Sequence, residues 1–336
     1  MKNFNSNKNS DISIKMKVAI LGLVHDDGID FLKNKNFEVQ NIDNFEVNNL
    51  KKELSDVDAI LLRTSKLTRE ILSECKKLKI IARHGVGYDN VDIDYLNENN
   101  IALAITSTAN SVSVAEHVLS FFIYLTKKFD LADKLVRDGN FKLKSTLPNF
   151  FELYQKKVLI CGFGRIGKEV AKRCNGFDMN VYIYDPFVDD KEINKYGYVP
   201  VGKEKGLELA DYVTIHLPLN EKTKDFIDKE ELKKMKKTAV VVNTSRGGII
   251  NENALFEALK MQNIESAGID VFENEPPIEN HTFFKLDNIL LTPHNAALTL
   301  ECRKRMAIEA AENIYFFLKD KNKINSQNLV NNELFI

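Results

Sequence analysis

The chain has 336 residues, a formal net charge of −1, 44% hydrophobic residues and 28% charged residues. This length suffices for two domains of ordinary size, and the composition is typical of a soluble globular protein. The near-zero net charge gives no indication of a nucleic-acid or membrane partner. No apolar run reaches the roughly 18 residues of a membrane-spanning helix. The four cysteines lack C-x-x-C spacing, which argues against a metal site and favours reduced thiols in the cytoplasm.

The first part of the chain predicts a tail followed by a small parallel sheet. Residues 1–15 are rich in Asn, Lys and Ser and predict a disordered tail. Apolar runs that alternate with helical stretches then predict strands at 17–22, 37–41, 58–63 and 79–83. This alternation is typical of a flavodoxin-like sheet.

Two of these strands end in an arginine, Arg63 and Arg83. Ligands of open α/β sheets bind at the carboxyl ends of strands, so both side chains are candidate anion-binding residues. Two solvated surface arginines are the alternative. The segment that follows contains Gly85, Val86 and Gly87, and its glycines could turn successive N–H groups toward a carboxylate. A plain turn would have a similar sequence.

Residues Ser111 to Asp138 predict one long helix whose first half is apolar on nearly every side, which indicates burial. Ser113 and Glu116 have the spacing of a capping box near its start. The arm after it, Gly139 to Tyr154, carries apolar side chains without a regular period. This distribution favours a homodimer contact through residues 112–154; packing within one chain is the alternative.

A glycine motif in the middle of the chain predicts a dinucleotide site. Gly162, Gly164 and Gly167 form Gly-x-Gly-x-x-Gly between a predicted buried strand, 158–161, and a predicted helix. A second strand ends in Asp185, close to the offset of about 20 residues expected for the acid that binds the ribose. Its charge would repel the 2′-phosphate of NADP, so the sequence predicts NAD. A merely structural glycine turn is the alternative.

Four further apolar strands, at 212–218, 238–243, 266–271 and 289–294, complete a doubly wound sheet with polar side chains at its carboxyl edge. Arg246 can bind a carboxylate bidentately, and His294 can exchange a proton near neutral pH. A buried Glu275 beside the imidazole would fix its tautomer and favour its protonated form. These three groups meet the requirements of hydride transfer, in which a base takes the hydroxyl proton as hydride leaves.

Several segments of the chain resemble the D-isomer-specific 2-hydroxyacid dehydrogenase family, and together they cover most of the sequence from Met16 to about Val330. They are Arg83-His-Gly-Val-Gly-Tyr-Asp-Asn-Val-Asp92, Val114-Ala-Glu-His117, Gly162-Phe-Gly-Arg-Ile-Gly167, His216-Leu-Pro218 with Thr223, Asn243-Thr-Ser-Arg-Gly-Gly248, Asp270-Val-Phe-Glu-Asn-Glu-Pro276 and Thr292-Pro-His294. The resemblance implies a two-domain α/β fold. A Rossmann doubly wound parallel sheet, residues 112–296, would be inserted into a flavodoxin-like substrate domain, residues 16–111 and 297–336, with the active site in the cleft.

The resemblance also implies residue roles. Arg246 would bind substrate, Glu275 and His294 would form the acid/base pair, and the backbone N–H groups of Val86 and Gly87 would bind the substrate carboxylate. The implied NAD contacts are Gly162, Gly164, Arg165, Ile166, Gly167, Asp185, His216, Pro218, Thr223, Thr244 and Asp270.

The resemblance indicates the identity of the substrate less directly than it indicates the residue roles. Arg63 and Arg83, with Lys144 from a partner chain, match positions that resemble phosphate contacts in phosphoglycerate dehydrogenases, which favours 3-phosphoglycerate and a place in serine biosynthesis. No regulatory domain is expected after the last predicted helix, 301–318. Hydroxypyruvate, glyoxylate and D-lactate need fewer cations and stay alternatives. An NADH-sensing, corepressor-like binding protein is an alternative of another class.

Overall fold

The computed structural model describes residues 15–335, so the predicted tail lies, apart from Lys15, outside the described residues. The chain divides into two compact units. One combines the residues up to Asn110 with those from Leu300 onward, and the other is Ser111–Thr299. The binding role of each unit stays a prediction.

The first unit is built on a five-stranded sheet in which all neighbouring strands are parallel. Its strands are β1 (Lys17–Leu21), β2 (Glu38–Ile42), β3 (Ala59–Leu62), β4 (Ile80–Arg83) and β5 (Ala102–Ala104). The helices between them are α1 (Asp26–Asn34), α2 (Val47–Glu53), α3 (Arg69–Leu72) and α4 (Ile93–Glu98). The order β2-β1-β3-β4-β5 confirms the predicted flavodoxin-like sheet.

Side-chain alternation along the strands divides the core of this unit into two apolar layers. Val18 and Ile20 of β1 pack in one cluster, and Ala19 and Leu21 pack in the other. Successive side chains of a strand point to opposite faces, so a strand covered on both faces is apolar throughout. This explains why continuous apolar runs, rather than alternating ones, mark these strands.

The second unit contains seven parallel strands. Its helices are α5 (Ser111–Lys127), α6 (Phe129–Arg137), α7 (Arg165–Gly176), α8 (Asp190–Lys195), α9 (Lys203–Leu209), α10 (Lys229–Lys234) and α11 (Glu252–Lys260). Its strands are β6 (Lys157–Cys161), β7 (Asn180–Tyr184), β8 (Val199–Pro200), β9 (Tyr212–Ile215), β10 (Val240–Asn243), β11 (Ser266–Ile269) and β12 (Ile289–Leu291).

The strand order of this sheet, β12-β11-β10-β9-β6-β7-β8, reverses direction at β6. The predicted doubly wound sheet is therefore confirmed, and its switch point lies beside the strand that precedes the glycine motif. The last helix, α12 (Leu300–Lys319), belongs to the first unit. No helix of the described chain is long and apolar enough to cross a membrane.

The prediction of one helix from Ser111 to Asp138 is wrong. Lys128 adopts φ 48°, in the left-handed region, and separates α5 from α6. A helix cannot continue through a left-handed residue, so the chain changes direction there. The predicted capping box is also wrong, because α5 begins at Ser111 and the Ser113 hydroxyl lies 2.8 Å from Thr299 Oγ1.

The packing of β11 against α5 generates a test of the second unit. A Cβ added at Gly268 would lie 2.7 Å from the ring of the fully buried Phe121. We expect Gly268→Ala to lower the free energy of unfolding by about 1–3 kcal/mol, because the core has no room for the methyl group. Urea unfolding followed by circular dichroism measures the change.

Gly176→Ala is the matched control, because a Cβ at this last residue of α7 would meet nothing within 4 Å. We expect it to leave the stability unchanged or slightly raised. Equal stability of Gly268→Ala and the parent protein would contradict the close approach.

Candidate functional site

The glycine motif forms a tight turn between β6 and α7. Gly162 has φ 100°, and a Cβ there would lie 2.6 Å from the carbonyl oxygen of His216. A Cβ at Gly167 would collide with the carbonyl of Gly162. The end of β6 and the start of α7 can therefore approach this closely only because residue 167 is a glycine. Gly164 is the N-cap of α7 and faces open space. The turn therefore leaves room for a phosphate at the start of α7, where the first N–H groups of a helix have no partner within the helix.

Asp185 lies at the end of β7 and faces this turn. Its Oδ2 accepts a hydrogen bond from the Phe163 N–H at 2.8 Å, and its Oδ1 accepts from the Phe187 N–H at 2.9 Å. A carboxylate has about four lone-pair sites, so each oxygen can still accept from a ribose hydroxyl. The side chain is thus fixed in place and keeps capacity for a ligand.

Two predicted cofactor contacts carry buried polar atoms that have no hydrogen-bond partner among the described residues, His216 Nδ1 and Thr244 Oγ1. Burial lowers the pKa of His216 to about 3, so its ring is neutral, and its Nε2 lies 3.0 Å from Thr214 Oγ1. Buried polar atoms are rarely left unpaired. A polar ligand such as NAD at the carboxyl ends of β9 and β10 fits both atoms.

Thr223 and Pro218 belong to the turn after β9. The Thr223 hydroxyl donates to the Pro218 carbonyl at 2.5 Å and accepts from the Asn220 N–H at 2.8 Å. The hydroxyl is thus used within the turn, and its predicted contact with the cofactor stays a prediction.

The predicted acid/base pair is formed in the second unit. His294 Nδ1 lies 2.7 Å from Glu275 Oε2, and Glu275 Oε1 accepts from the Phe272 N–H at 3.1 Å. The expectation of a buried Glu275 is wrong, because 37% of its side chain and 47% of that of His294 are exposed. Glu275 lies in a surface loop after β11, not within the sheet.

The surroundings of Glu275 favour its carboxylate form. Desolvation opposes ionisation, but the hydrogen bond and charge of His294, the Phe272 N–H and the charge of Arg246 together hold the pKa of Glu275 below its ordinary value. Glu275 is therefore available as a hydrogen-bond acceptor for the imidazole at neutral pH.

His294 adopts a backbone conformation that its surroundings must maintain. Its φ is 51°, and its N–H donates to the carbonyl of Asp270 at 2.8 Å. The fully buried carboxylate of Asp270 accepts from Thr292 Oγ1 at 2.5 Å, the Asn295 N–H at 2.9 Å and the Ala296 N–H at 3.1 Å. Asp270 thus positions the loop that carries His294; its predicted contact with the cofactor stays a prediction.

His117 also contacts the loop that carries His294, although the sequence predicts no role for it. Its Nε2, on α5, lies 3.1 Å from Thr292 Oγ1 and 3.7 Å from Asp270 Oδ1. Burial lowers the pKa of His117 although the charge of Asp270 acts in the opposite direction. Its partners are more than 150 residues away in the chain, so no local sequence signal indicates the contact.

Arg246 lies near Glu275 because the loop after β10 closely approaches the loop after β11. A Cβ at Gly247 would collide with the carbonyl of Phe272, so the Arg246 loop can lie against the Glu275 loop only with glycine there. The Asn243 side chain holds the Arg246 loop, because its Nδ2 donates to the Arg246 carbonyl at 2.9 Å. The structure therefore brings together Arg246, Glu275 and His294.

The predicted anion-binding residues of the first unit differ from one another. Arg83 Nε donates to the Gly87 carbonyl at 2.7 Å, and its Nη1 donates to the carbonyls of Leu62 and Arg63. Its guanidinium therefore holds the Val86–Gly87 loop against the end of β3. This use argues against the predicted role of Arg83 as an anion ligand.

Within the described part of the chain, the Arg63 guanidinium makes one hydrogen bond, from Nη1 to the Leu23 carbonyl at 2.9 Å. Desolvation and the charge of Arg303 lower its pKa. The sequence analysis does not identify Arg303, whose buried Nε has no partner among the described residues and whose carbonyl lies 3.3 Å from His84 Nε2. Lys144 lies in a short 3-10 helix of the second unit, with Nζ 5.7 Å from the Phe141 ring centroid.

The contact between His294 and Glu275 generates a prediction about protonation. We expect His294→Ala to raise the pKa of Glu275 toward its ordinary value, because the hydrogen bond and charge that favour the carboxylate are lost while desolvation remains. A carbon-13 NMR titration of the glutamate side chains measures the shift. Arg246→Ala should raise it less, and an unchanged pKa in His294→Ala would contradict the pair.

Comparisons with known proteins identify the family that this chain resembles. Residues 119–296 match the family model described as "D-isomer specific 2-hydroxyacid dehydrogenase, NAD binding domain". The chain is 35% identical over 315 residues to a D-3-phosphoglycerate dehydrogenase of Archaeoglobus fulgidus, covering 94% of this chain and 59% of that protein. It is 36% identical over 284 residues to a glyoxylate reductase of Korarchaeum cryptofilum, covering 84% of this chain and 85% of that protein.

A solved structure gives the same result for the fold. An NAD-dependent formate dehydrogenase from Staphylococcus aureus in complex with NAD has a TM-score of 0.80 and 28% identity, covering 94% of this chain and 99% of that one. The chain spans about three fifths of the length of two D-3-phosphoglycerate dehydrogenases that it matches, 59% and 60%.

Proposed function

Because the chain belongs to the D-isomer specific 2-hydroxyacid dehydrogenase family, we propose that it transfers hydride between NAD and a D-2-hydroxy acid or its 2-oxo acid. The observation that carries the proposal is the 2.7 Å contact between His294 Nδ1 and Glu275 Oε2, with the charge of Arg246 acting on Glu275. This set lies in the same unit as the glycine turn and Asp185.

The residues of the second unit fit NAD as the cofactor. The N–H groups at the start of α7 would bind the pyrophosphate, and Asp185 would accept hydrogen bonds from the ribose. The negative charge of Asp185 disfavours a 2′-phosphate, which is the reason to expect NAD rather than NADP. When bound, the nicotinamide ring supplies or accepts the hydride.

The proton would be exchanged at His294 Nε2. Its Nδ1 donates to Glu275 in the proposed tautomer, so Nε2 is the ring atom left for the substrate oxygen. The carboxylate of Glu275 stabilises the imidazolium that forms when the hydroxyl proton is taken. Arg246 would bind the substrate carboxylate, and the role of the Val86 and Gly87 N–H groups stays a prediction.

We infer that 3-phosphoglycerate is the best candidate substrate. Support comes from Arg63 and Arg303, two guanidinium groups in the first unit for which no ion pair with a carboxylate is found among the described residues. A phosphate dianion needs such cations, whereas hydroxypyruvate and glyoxylate do not. The match along 85% of a glyoxylate reductase supports the unphosphorylated oxo acids as the second candidate.

A substrate panel tests the proposal. We expect NADH absorbance to report turnover of 3-phosphoglycerate with NAD, and of hydroxypyruvate or glyoxylate with NADH. His294→Ala should lower kcat by about 10²–10⁴-fold, because the general acid/base is lost. Arg63→Ala should raise KM for 3-phosphoglycerate by about tenfold or more and leave that for hydroxypyruvate unchanged, because one charge-assisted contact is lost.

Arg69→Ala is the control for charge, because Arg69 is an exposed arginine of the same unit that pairs with Glu98 at 2.8 Å. An equal effect of Arg63→Ala and Arg69→Ala would refute the phosphate assignment. Absence of His294-dependent turnover on every substrate would instead favour the NADH-sensing binding protein.

The proposed location is the cytoplasm. All four cysteines are buried and none forms a disulfide, and burial raises the pKa of Cys161 and of Cys174 to about 12. Cys161 and Cys174 are therefore neutral, inert thiols, and buried cysteines without disulfides are expected in a reducing compartment.

A homodimer is the proposed assembly. No residue of α6 is buried, and the segment from α6 to Tyr154 exposes a series of large apolar side chains. They are Phe129, Leu131, Val136, Phe141, Leu143, Phe150 and Tyr154. A second copy of the chain would cover this surface through residues 112–154.

Sedimentation velocity tests the dimer. We expect the parent protein to sediment as a dimer and the double variant Phe141→Asp, Leu143→Asp as a monomer, because two buried charges would oppose association. Met261→Asp is the control, since Met261 is 65% exposed elsewhere in the same unit. A monomeric parent protein would contradict the proposal.

A further inference from the structure

Glu275 lies in a surface loop, Glu273–His281, whose residues are mostly exposed. The loop contains Pro276 and Pro277 and leaves the sheet after β11. An exposed loop keeps a fixed conformation only where it is anchored to the scaffold. The position of the Glu275 carboxylate therefore depends on what holds the two ends of the loop.

One carboxylate accepts a hydrogen bond from each end of this loop. Glu252 Oε1 accepts from the Glu273 N–H at 2.8 Å, and Glu252 Oε2 lies 3.1 Å from His281 Nε2. Glu252 is the first residue of α11, and the helix start is fixed by Asn251, whose side chain accepts from the Ala254 N–H at 3.0 Å. A carboxylate at a helix N-terminus also interacts favourably with the helix dipole.

His281 is oriented for this contact. Its Nδ1 accepts from the Phe283 N–H at 3.3 Å, so Nε2 is the ring nitrogen that donates to Glu252. The residue is 9% exposed, and its ring packs edge-on against Phe272 and Phe283 at centroid distances of 5.6 and 4.9 Å. The donor is thus held in one rotamer within an aromatic environment.

We propose that Glu252 and His281 are positioning residues for Glu275. The inference rests on the proposed acid/base role of Glu275 and His294 and extends it to two residues outside that pair, Glu252 and His281. By fixing both ends of the loop, Glu252 keeps the Glu275 carboxylate at hydrogen-bond distance from His294 Nδ1. Without the anchor the loop samples positions in which this bond is broken.

A small displacement of the Glu275 carboxylate from His294 Nδ1 is expected to have a large effect on the reaction rate. A misplacement of about 1 Å in catalytic geometry can cost about a hundredfold in rate. Loss of the bond also changes Glu275 itself, because the hydrogen bond and charge of His294 contribute to its lowered pKa. Removing the anchor should therefore change both kcat and the pH dependence of the reaction.

The variants Glu252→Ala, His281→Phe and His281→Gln test the proposal in the full-length protein. Glu252→Ala removes both anchors, and His281→Phe removes one donor but keeps the aromatic packing and the carboxylate. Gln can present an N–H donor at the same place, so His281→Gln is the conservative variant expected to rescue function. If Glu252→Ala fails to fold, the two His281 variants still decide the outcome.

Asp211→Ala is the matched control for loss of a partly buried carboxylate. Asp211 accepts from the Lys157 N–H at 2.9 Å and from Lys236 Nζ at 2.7 Å. Its side chain is 19% exposed, against 17% for Glu252. Like Glu252, Asp211 accepts one hydrogen bond from a backbone N–H group and one from a side-chain nitrogen. The Asp211 bonds lie at the amino ends of β6 and β9, at the opposite edge of the sheet from His294.

We expect Glu252→Ala to lower kcat with hydroxypyruvate and NADH by about tenfold to a hundredfold. The dissociation constant for NADH, measured by its fluorescence, should stay within about twofold, since Glu252 is not among the predicted cofactor contacts. The acid limb of the kcat/KM profile should move to higher pH, because Glu275 loses the interactions that lower its pKa. His281→Phe should behave similarly, and His281→Gln should resemble the parent protein.

Hydrogen–deuterium exchange of the unliganded protein gives a readout that does not need activity. Peptides covering 273–281 should exchange faster in Glu252→Ala and unchanged in Asp211→Ala. Faster exchange with unaltered kcat and pH profile, or an equal loss of kcat in Asp211→Ala, would overturn the positioning role. An inactive parent protein on every oxo acid would refute the proposed function, and unchanged exchange in Glu252→Ala would separately refute the anchoring.

Discussion

The loop that carries His294 depends on one fully buried carboxylate, that of Asp270. A buried charge is costly unless it is hydrogen-bonded, and Asp270 accepts from the Thr292 hydroxyl and from two backbone N–H groups of residues 295 and 296. These bonds fold the chain after β12 into a tight turn and hold His294 at a positive φ. The imidazole is thus positioned by a charge that is itself unavailable to solvent.

The parallel sheet explains why the three chemical groups meet. Arg246, Glu275 and His294 follow β10, β11 and β12, three consecutive neighbours in the sheet, so their loops emerge at the same edge. The close approach at Gly247 reduces the separation of the first two loops. Asp270 fixes the third loop, and Glu252 holds the ends of the second. The candidate site is therefore built from three loops, each anchored to a strand or helix of the scaffold.

Two arginines of the first unit, Arg83 and Arg63, differ in how many of their guanidinium donors are already hydrogen-bonded within the protein. Arg83 uses its guanidinium on the carbonyls of its own loop, whereas Arg63 donates to a single carbonyl and lies within the electrostatic influence of Arg303. A guanidinium has five N–H donors, so the number already used by the protein decides how well it can bind a ligand. This difference is the reason why the proposed phosphate site uses Arg63 and Arg303 rather than Arg83.

The sequence by itself determined most of the strands, the glycine turn and the family, and it predicted Arg246, Glu275 and His294 as the acid/base set. These features are local, because strand type follows from runs of apolar residues and the turn follows from glycine spacing. It did not predict β5, which is only three residues long, or the break at Lys128, where no Gly or Pro marks the change. Short elements and left-handed residues of ordinary type carry too weak a local signal.

Only the tertiary structure decided which polar groups are already paired. Arg83 finds a carbonyl 21 residues away, His84 contacts Arg303 across 219 residues, and His281 reaches Glu252 across 29. It also decided that Glu275 is partly exposed. Hydrogen-bond pairing depends on distances between side chains that folding brings together, and no pattern within one segment of sequence contains those distances.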